Sequence, residues 1–523
     1  MIGTLHFMTK VLIFMKESIA NLDELIDSLN EEQKQVVYST SRRLVCLAGA
    51  GTGKTHTLIS KIIYSTEILK ANPESILCLT FTNAAGQELK SRFTKYSQSD
   101  KAPFFGTFHS FCYYLVLNNS DICKKLGYNQ IPELIDEYEE NNFYTEAKLL
   151  SSTKLSKNKL KITYNPSMKE KFEFQVFQKT LDKLLRNKNK ITFDRLCYRV
   201  CELFKNKDET IHKYLDNFKY IYIDEFQDTD QGQWEFIKSF IPNSSVIIIG
   251  DARQSLYKFR GADSSIIKSI AQDESWQVIK LVTNYRSTKQ ICDYVNRFTD
   301  NFQDKDITIK LVSSKLGQNI RHTTTTKFLA NLQTCIDYSY FTSAILCRTN
   351  KEVSYLIDKL DSAGIQYTTK CDSSFNKIIE CALDSYPLND LLLSLLTEQE
   401  RSKLLVEMYK NPKYDLTGYL TKRLDDVVAK VYDIQNCDDF CQIKLLYETG
   451  ELSLKDISEN SINHSPELYV GTIHSVKGLE FDSVYVYGVN SKAFKILDSE
   501  ESMNLYYVAC TRAKKLLTII TER

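Results

Sequence analysis

The segment from Ala48 to Thr55, with the sequence Ala-Gly-Ala-Gly-Thr-Gly-Lys-Thr, constrains the fold of this chain more than any other feature. It follows a run of β-forming residues, Leu44–Ala48, and precedes a helical pattern. A glycine-rich turn that ends in Lys-Thr between a strand and a helix is typical of a P-loop, which surrounds a phosphate with backbone N–H groups. The segment therefore predicts a phosphate-binding α/β fold, although alanine replaces the usual first glycine.

Each part of this segment has a chemical role in binding a nucleotide. Lys54 can neutralise charge on the β- and γ-phosphates, and the hydroxyl of Thr55 can ligate Mg²⁺. The remaining residues supply the backbone that encloses the phosphates; they are Ala48, Gly49, Ala50, Gly51, Thr52 and Gly53. We therefore predict a nucleotide and Mg²⁺ as cofactors.

Two adjacent carboxylates, Asp224 and Glu225, follow the apolar run Tyr220–Ile223. Such a pair after a strand is usually a solvated turn. A P-loop elsewhere in the chain favours a functional role instead, because ligands of parallel sheets bind at the carboxyl ends of strands. Asp224 is predicted to face Mg²⁺, and Glu225 to orient the attacking water.

The length of 523 residues requires more than one hydrophobic core, since single cores stop growing at about 250–300 residues. A net charge of +1 gives no overall sign of nucleic-acid binding. The segment from Lys154 to Lys190 carries a local excess of lysine and arginine, which is more often a solvated surface than a binding face.

The cysteines and one apolar stretch indicate in which cellular compartment the chain is expected. The 14 cysteines are scattered without a Cys-x-x-Cys pair, which argues against a zinc site and favours a reducing interior. The apolar stretch Val11–Met15 is too short for a membrane span or a signal peptide. We expect a soluble intracellular protein without membrane partners, located in the cytoplasm or nucleoid, or in a nucleus.

Apolar runs typical of buried parallel strands occur in two groups. The first group is Leu44–Ala48, Ile76–Phe81, Tyr220–Ile223 and Ser245–Ile249, and the second is Ser343–Cys347, Leu468–Thr472, Ser483–Val489 and Lys515–Ile519. They predict an α/β protein with two parallel sheets, separated and interrupted by helical segments. The predicted parts are an N-terminal extension at 1–24, a first domain formed by 25–110 and 205–283, a helical insertion at 111–204, a second domain formed by 284–370 and 466–523, and a helical insertion at 371–465.

Ordered motifs between Leu29 and Arg512 resemble those of the UvrD/Rep branch of superfamily-one DNA helicases. The matching strings are Leu29–Gln33, Ala48–Thr55, Thr80–Ala85, Gly106–Ser110, Asp224–Asp230, Gly250–Ala262, Asn284–Ser287, Thr472–Phe481 and Tyr506–Ala513. The resemblance implies two RecA-like domains, each with a mostly helical inserted subdomain, and ATP hydrolysis between them that drives movement along single-stranded DNA in the 3′ to 5′ direction.

The resemblance also assigns further residues to the nucleotide. It implies that Gln33 reads adenine, that Tyr285 stacks on it and that Glu480 contacts the ribose. Gln254 would sense the γ-phosphate. The arginines Arg286 and Arg512 would neutralise charge in the transition state.

Further residues are implied as contacts to the DNA strand, and they are Phe81, Thr82, Asn83, Thr107, His109, Tyr257, Phe259, Arg260, Thr472, His474 and Ser475. Hydroxyls, amides and imidazoles bind phosphate and sugar without reading sequence, while aromatic rings stack on bases. On its own His109 would more often be a structural histidine. Phe259 stands where the family usually has tryptophan, so base stacking should persist with a smaller ring.

The expected function is an ATP-dependent 3′–5′ DNA helicase or translocase in repair, recombination or replication, acting on single strands and single/double-strand junctions, with protein partners left unidentified. A translocase that remodels protein–DNA complexes with little unwinding is an alternative, because both insertions look shorter than in the family. A nucleotide-controlled binding module without turnover is a third hypothesis. The presence of Glu225, Gln254, Arg286 and Arg512 argues against it.

Overall fold

A computed structural model describes residues 22–97, 99–135, 137–160, 167–168, 170–206, 208–258, 261–336, 342–369 and 467–522. The predicted insertion at 371–465 and nearly all of the predicted extension at 1–24 lie outside these residues. The described residues divide into two units, the first within Met1–Tyr285 and Gln303–Leu311, the second within Arg286–Phe302 and Val312–Arg523. None of the described helices is long and apolar enough to cross a membrane.

The strands are β1 (Arg43–Ala48), β2 (Ile76–Thr80), β3 (Phe104–Thr107), β4 (Glu133–Ile135), β5 (Lys190–Thr192), β6 (Tyr220–Ile223), β7 (Ser245–Gly250), β8 (Gln277–Leu281), β9 (Arg321–Thr324), β10 (Thr342–Cys347), β11 (Glu467–Thr472), β12 (Phe481–Val489) and β13 (Ala513–Thr521). The helices of the first unit, after a helical segment at 22–27, are α1 (Glu31–Tyr38), α2 (Lys54–Ile63), α3 (Asn83–Tyr96), α4 (Phe108–Asn118), α5 (Ser120–Lys125), α6 (Glu137–Ser151), α7 (Lys171–Asn187), α8 (Phe193–Lys205), α9 (Glu209–Leu215), α10 (Gln231–Lys238) and α11 (Ser265–Gln272). Those of the second unit are α12 (Lys289–Thr299), α13 (Thr325–Ala330), α14 (Leu332–Cys335), α15 (Asn350–Ser362) and α16 (Glu500–Cys510).

The first unit is built on a six-stranded parallel sheet with the order β3-β2-β6-β7-β1-β8. Its central strands are nearly continuous runs of apolar residues because helices cover both of their faces. Apolar side chains of α1, α2 and α3 pack on one face together with Leu44, Cys46, Tyr222 and Ile247. This packing holds the carboxyl ends of β1, β2, β6 and β7 at one edge of the sheet, where the predicted site residues follow.

Between β3 and β6 the chain is mostly helical, from α4 to α9, with a small parallel pair formed by β4 and β5. α6 and α7 enclose a core of their own, which includes Ile135, Phe177, Leu181 and Leu185. The hydroxyl of Thr192 caps α8 by accepting from the N–H of Arg195. This part of the chain therefore has a core of its own around α6 and α7, whereas Phe111 of α4 and Phe204 of α8 pack against Phe236 of α10.

The second unit is built on a five-stranded parallel sheet with the order β11-β10-β12-β13-β9. Ile345, Val470 and Tyr485 from three of its strands pack against α15 residues such as Leu356 and Leu360. The predicted α/β class with two parallel sheets is confirmed. Each apolar run that the sequence predicted as a strand is a strand in the structure.

Two short segments belong to a different unit from the one that the sequence pattern suggested. Asn284, Tyr285 and Gln303–Leu311 fall in the first unit, although the pattern assigns residues from 284 onward to the second domain. The reason is local packing: a Cβ atom built on Gly49 would lie 2.5 Å from the Cδ2 atom of Leu311. The first P-loop glycine is therefore in contact with a segment far along the chain.

Candidate nucleotide and DNA site

The P-loop follows β1 and ends where α2 begins at Lys54. Gly53 precedes the helix with a φ of 82°, a left-handed conformation that glycine adopts without strain. Within the loop, the N–H and the hydroxyl of Thr52 both donate to the carbonyl of Gly49, at 3.4 and 2.8 Å. The loop is thus folded back on itself ahead of the N-terminus of α2, the arrangement that suits a phosphate group.

Residues on both sides of the P-loop are hydrogen-bonded to its carbonyls. The side-chain amide of Asn284 donates to Ala50 at 2.6 Å, and the N–H of Tyr285 donates to Gly51 at 2.8 Å. The Tyr285 ring remains 45% exposed, so a planar group could stack on it. On the other side Gln33 donates to the carbonyl of Thr52 at 3.1 Å.

Gln33 is also part of a capping box at the start of α1. Its Oε1 accepts from the N–H of Asn30, and Asn30 Oδ1 accepts from the N–H of Gln33. Gln33 is buried. It therefore lies beside the loop, as an adenine-reading residue would, while its role in binding adenine stays a prediction.

Asp224 and Glu225 lie at the carboxyl end of β6, and Asp224 is buried with 5% of its surface exposed. Burial and the nearby Glu225 carboxylate raise the pKa of Asp224 to about 7, against the opposing charge of Lys54. A buried carboxylate in this environment, together with a threonine hydroxyl at the start of α2, is a donor set that suits Mg²⁺. Thr55 and Asp224 therefore fit the predicted metal.

The backbone at Glu225 is left-handed, with a φ of 49°, which is uncommon for a residue other than glycine. Strained backbone of this kind is often kept where a side chain must point in a defined direction. The N–H of Glu225 donates to Asp224 Oδ1 at 3.0 Å, which ties the two acids together.

A chain of hydrogen bonds leads from Glu225 to Gln254. The amide nitrogen of Gln227 donates to Glu225 Oε2, and its oxygen accepts from the N–H of Asp251 at 3.0 Å. Gln254 then donates to Asp251 Oδ2 at 2.8 Å. Because Gln227, Asp251 and Gln254 are all buried, this chain links the ends of β6 and β7 rigidly.

Aromatic rings of two predicted DNA motifs are stacked on each other. The rings of Phe81 and Tyr257 lie 4.7 Å apart with an interplanar angle of 14°. Next to Phe81, the Thr82 hydroxyl caps α3 by accepting from the N–H of Ala85, and Asn83 is exposed. Phe259 and Arg260 lie outside the described residues.

Thr107 and His109 lie where β3 passes into α4. The Thr107 hydroxyl caps α4 by accepting from the N–H of Ser110 at 3.1 Å. The His109 Nε2 atom lies 3.8 Å from a carboxylate oxygen of Asp194 on α8, and the imidazole is 43% exposed. Asp194 and the Cys197 thiol raise the pKa of His109, so the ring favours its cationic form.

In the second unit, Arg286 and Glu480 form an ion pair with each other, at 2.6 Å. Arg286 also donates to the carbonyl of Thr511, and Lys514 pairs with the other oxygen of Glu480 at 2.7 Å. Burial works against ionisation of Glu480, but the hydrogen bonds from Lys514 and Arg286 outweigh it and lower its pKa.

Arg512 is buried, with 2% of its surface exposed. Its guanidinium donates to the carbonyls of Val508 and Leu479. Thr472 is the last residue of β11, and His474 and Ser475 follow the strand; the Ser475 hydroxyl donates to the Thr472 carbonyl at 2.7 Å. His474 is partly buried beside them.

Three residues at these sites carried no sequence assignment of their own. Asn284 binds the P-loop, Lys514 pairs with Glu480 and Asp194 lies beside His109. Asn284 stands within a recognised motif and could have been found there. Lys514 and Asp194 are ordinary surface-type charges in the sequence, and only the fold brings them to their partners.

Comparison with known protein families gives matches over nearly the whole chain. A model of the UvrD/REP helicase N-terminal domain matches residues 29–275, and a model of the UvrD-like helicase C-terminal domain matches 279–443 and 392–523. A "Probable DNA helicase II homolog" of Mycoplasma capricolum is 27% identical over 94% of this chain and 84% of the relative. An "ATP-dependent DNA helicase PcrA" of Staphylococcus epidermidis is 25% identical over 95% and 84%.

The order of these matches along the chain agrees with the order of the two sheets. The N-terminal model covers the P-loop and the acid pair, and the C-terminal model covers Arg286 and Arg512. Both halves therefore match one family in the same order: the chain belongs to the UvrD/Rep helicases, so that by class it is a DNA-dependent ATPase and its two sheets are RecA-like.

Proposed function

We propose that this chain couples ATP hydrolysis to 3′–5′ movement along single-stranded DNA and unwinds duplexes at single/double-strand junctions, in DNA repair, recombination or replication. The main support is one arrangement in the first unit. Lys54 and Thr55 follow β1, the acid pair follows β6, and Gln254 is linked to that pair through Gln227 and Asp251. Such an edge of a parallel sheet is suited to holding a nucleoside triphosphate and a metal ion.

Each residue at this edge has a proposed task. Lys54 neutralises the β- and γ-phosphates, and Thr55 and Asp224 would hold Mg²⁺, which would neutralise the charge that develops on the phosphates. Glu225 accepts a proton from, and orients, the attacking water. Gln254 senses the γ-phosphate, Gln33 reads adenine, and Tyr285 stacks on it.

The second unit contributes charge that the reaction needs. We assign Arg286 and Arg512 to the transition state of phosphoryl transfer and Glu480 to the ribose. Arg286 is now paired with Glu480, so contact with a phosphate would exchange one anionic partner for another. Because its side chain is only 17% exposed, the exchange occurs in a partly desolvated setting where charge is effective.

The DNA strand would be held by contacts that do not read sequence. In the first unit these contacts are the ring pair Phe81 and Tyr257 with Thr82, Asn83, Thr107 and His109. In the second unit they are Thr472, His474 and Ser475. The sequence pattern adds Phe259 and Arg260, which directly follow Tyr257 and Lys258 in the chain. Rings supply stacking, while hydroxyls and a cationic imidazole suit phosphate oxygens. With a net charge of +1, attraction to DNA must come from such local contacts.

One set of assays tests the proposal. ATP hydrolysis is measured with and without single-stranded DNA, and strand displacement is measured on duplexes with either a 3′ or a 5′ single-stranded tail. We expect DNA-stimulated hydrolysis and displacement of the 3′-tailed duplex alone. Hydrolysis that ignores DNA, or displacement that needs a 5′ tail, would contradict it.

A second function, translocation with little unwinding, is favoured by the length of the chain. The alignment with the Mycoplasma capricolum relative spans 612 positions against 523 residues here, so the relative carries segments that this chain lacks. Removal of streptavidin from a biotinylated single strand, without displacement of any tailed duplex, would favour this function. We also propose the domain division predicted above, with helical insertions at 111–204 and 371–465, except that Asn284, Tyr285 and Gln303–Leu311 belong with the first unit.

A further inference from the structure

A cluster of thiols lies against His109 in the first unit. Cys112 follows His109 by three residues on α4, so the two side chains share one face of the helix. Cys197 follows Asp194 by the same spacing on α8. α4 and α8 pack together, and the Cys197 thiol is in contact with both the Cys112 thiol and the imidazole. Both cysteines are free thiols and both are buried.

The contacts of Cys197 favour its thiolate form. Hydrogen bonds from the Cys112 thiol and, against the effect of burial, from His109 lower the pKa of Cys197 to about 7. Asp194 holds the imidazole in its cationic form, although its own negative charge opposes the thiolate. The groups therefore follow one another as the Asp194 carboxylate, the His109 imidazolium, the Cys197 thiolate and the Cys112 thiol.

At four other buried thiols of the described residues, burial outweighs every contact that would favour the thiolate. Burial raises the pKa of Cys46, Cys78, Cys347 and Cys510, so these side chains stay protonated and behave as small apolar groups. Solvent can reach the edge of the His109 cluster, since the imidazole is 43% exposed and Cys197 keeps 6% of its surface exposed. A small oxidant would therefore meet a reactive sulfur here and not at those four positions.

We propose that Cys112 and Cys197 are an oxidisable dithiol, which a hydroperoxide converts to a disulfide beside the DNA-contacting end of α4. The Cys197 thiolate attacks one peroxide oxygen and the O–O bond breaks. The leaving hydroxide takes the proton of His109 to form water, and Cys197 becomes a sulfenic acid.

The second step consumes the neighbouring thiol. The sulfur of Cys112 attacks the sulfur of Cys197. The S–S bond forms, the S–O bond breaks, and the leaving hydroxide takes the Cys112 proton to form water. Hydrogen peroxide is reduced to two waters, the two thiols are oxidised, and a dithiol reductant reverses the change.

The consequence for DNA rests on the proposed function. Oxidation removes the anionic sulfur from His109 and ties α4 to α8, so the imidazole holds its proton less firmly and cannot adjust to a phosphate. We expect the oxidised chain to bind single-stranded DNA about fivefold more weakly, the effect of weakening one charged hydrogen bond. Reduction should restore the affinity.

The test is peptide mapping of the full chain after hydrogen peroxide and alkylation of remaining thiols, without DNA or ATP. We expect a linked peptide pair that contains Cys112 and Cys197, lighter by two hydrogen atoms than the separate thiol peptides. Separate, alkylated Cys112 and Cys197 peptides would overturn the proposal, as would a bridge to Cys201. Wild-type protein decides this outcome, so a variant that folds poorly cannot obscure it.

Variants extend the test to the mechanism and to DNA. Cys112→Ser should abolish the link and leave a sulfenic acid on Cys197 that dimedone traps, whereas the matched control Cys201→Ser, one turn further along α8, should retain the link. A linked peptide without a change in single-strand affinity would overturn the coupling to DNA. A reduced chain that binds no DNA would instead contradict the proposed function and leave the dithiol assignment intact.

Discussion

At the residue scale, Asp224 and Glu225 differ in environment although they are adjacent in sequence. Asp224 is buried with a raised pKa, whereas Glu225 has a left-handed backbone and accepts from Gln227. The first environment suits a metal ligand, because a cation compensates the buried charge. The second suits an ionised acceptor that is held in one orientation.

Changing Glu225 to Gln removes this acceptor with little change in size. We expect ATP hydrolysis to fall by about 100-fold or more, because positioned general bases typically contribute 10²–10⁴. Nucleotide affinity should change little, as measured with a fluorescent ATP analogue. Glu235→Gln on α10 is the control, since Glu235 pairs only locally with Lys238 at the surface. Near-normal hydrolysis by Glu225→Gln would contradict the assignment of Glu225 as the residue that orients and deprotonates the attacking water.

Lys61 gives a prediction about stability. Its ammonium is buried and donates to the carbonyls of Val37 and Ser39 at the end of α1, and burial lowers its pKa to about 8. A lysine with a lowered pKa binds its proton less well in the folded chain than in the unfolded chain. Stability therefore rises as the pH increases from about 8 towards the unfolded value near 10.5.

Comparison with Lys61→Met isolates this effect from other titrations. The difference in unfolding free energy, wild type minus variant, should rise by about 2–3 kcal/mol between pH 7 and pH 10.5, since one pKa unit corresponds to 1.36 kcal/mol. Urea denaturation at both pH values measures it. Lys90→Met, at an exposed position of α3, should show no such rise. A difference that stays constant with pH for Lys61→Met would show that the ammonium is not destabilised by burial.

At the scale of elements, the strands that the sequence predicted are those with continuous apolar runs. Five strands were missed: β3, β8 and β9 are edge strands of the two large sheets, and β4 and β5 form the short two-stranded pair. β8 alternates exposed and buried residues, and β9 is half-exposed, because an edge strand has a neighbour on one side only. Their pairing is therefore decided by the adjacent strand and not by their own composition.

The loops at the carboxyl ends of β2 and β7 meet in the stacked rings of Phe81 and Tyr257. Tyr257→Ala should raise the dissociation constant for single-stranded DNA by about tenfold, since stacking contributes roughly 1–3 kcal/mol per base. Fluorescence anisotropy without nucleotide measures the affinity. Tyr355→Ala on α15 removes a ring that is 46% exposed and serves as the control. Equal loss in both variants would indicate a general effect of removing tyrosine.

At the scale of the whole molecule, hydrolysis should need residues of both units. Arg286→Ala should lower DNA-stimulated hydrolysis by about 1,000-fold, the lower end of the effect of an arginine at the transition state. ATP binding to the first unit should be retained. Arg348→Ala is the matched control, because Arg348 is also a partly buried arginine of the second unit and pairs with Glu501. Retained hydrolysis in Arg286→Ala would contradict the assignment of Arg286 to the transition state.

The sequence predicted where the P-loop and the acid pair lie in the fold, because each stands in a short string. The P-loop and the acid pair are contiguous, and local chemistry forces each next to a strand end. The residues that contact or pair with the predicted site residues are remote from them in sequence. Leu311 contacts Gly49, Lys514 pairs with Glu480 and Asp194 lies beside His109, and no local pattern marks them.

The sequence by itself determined the α/β class, the two sheets and the sheet edge at which the candidate nucleotide site lies, because apolar runs and glycine-rich turns act through local backbone preference and burial. The tertiary structure alone decided which charges meet. It paired Arg286 with Glu480, gave Asp224 a raised pKa and brought Cys112 against Cys197. Electrostatic interactions depend on distance and burial in the folded chain, and neither can be read from spacing along the sequence.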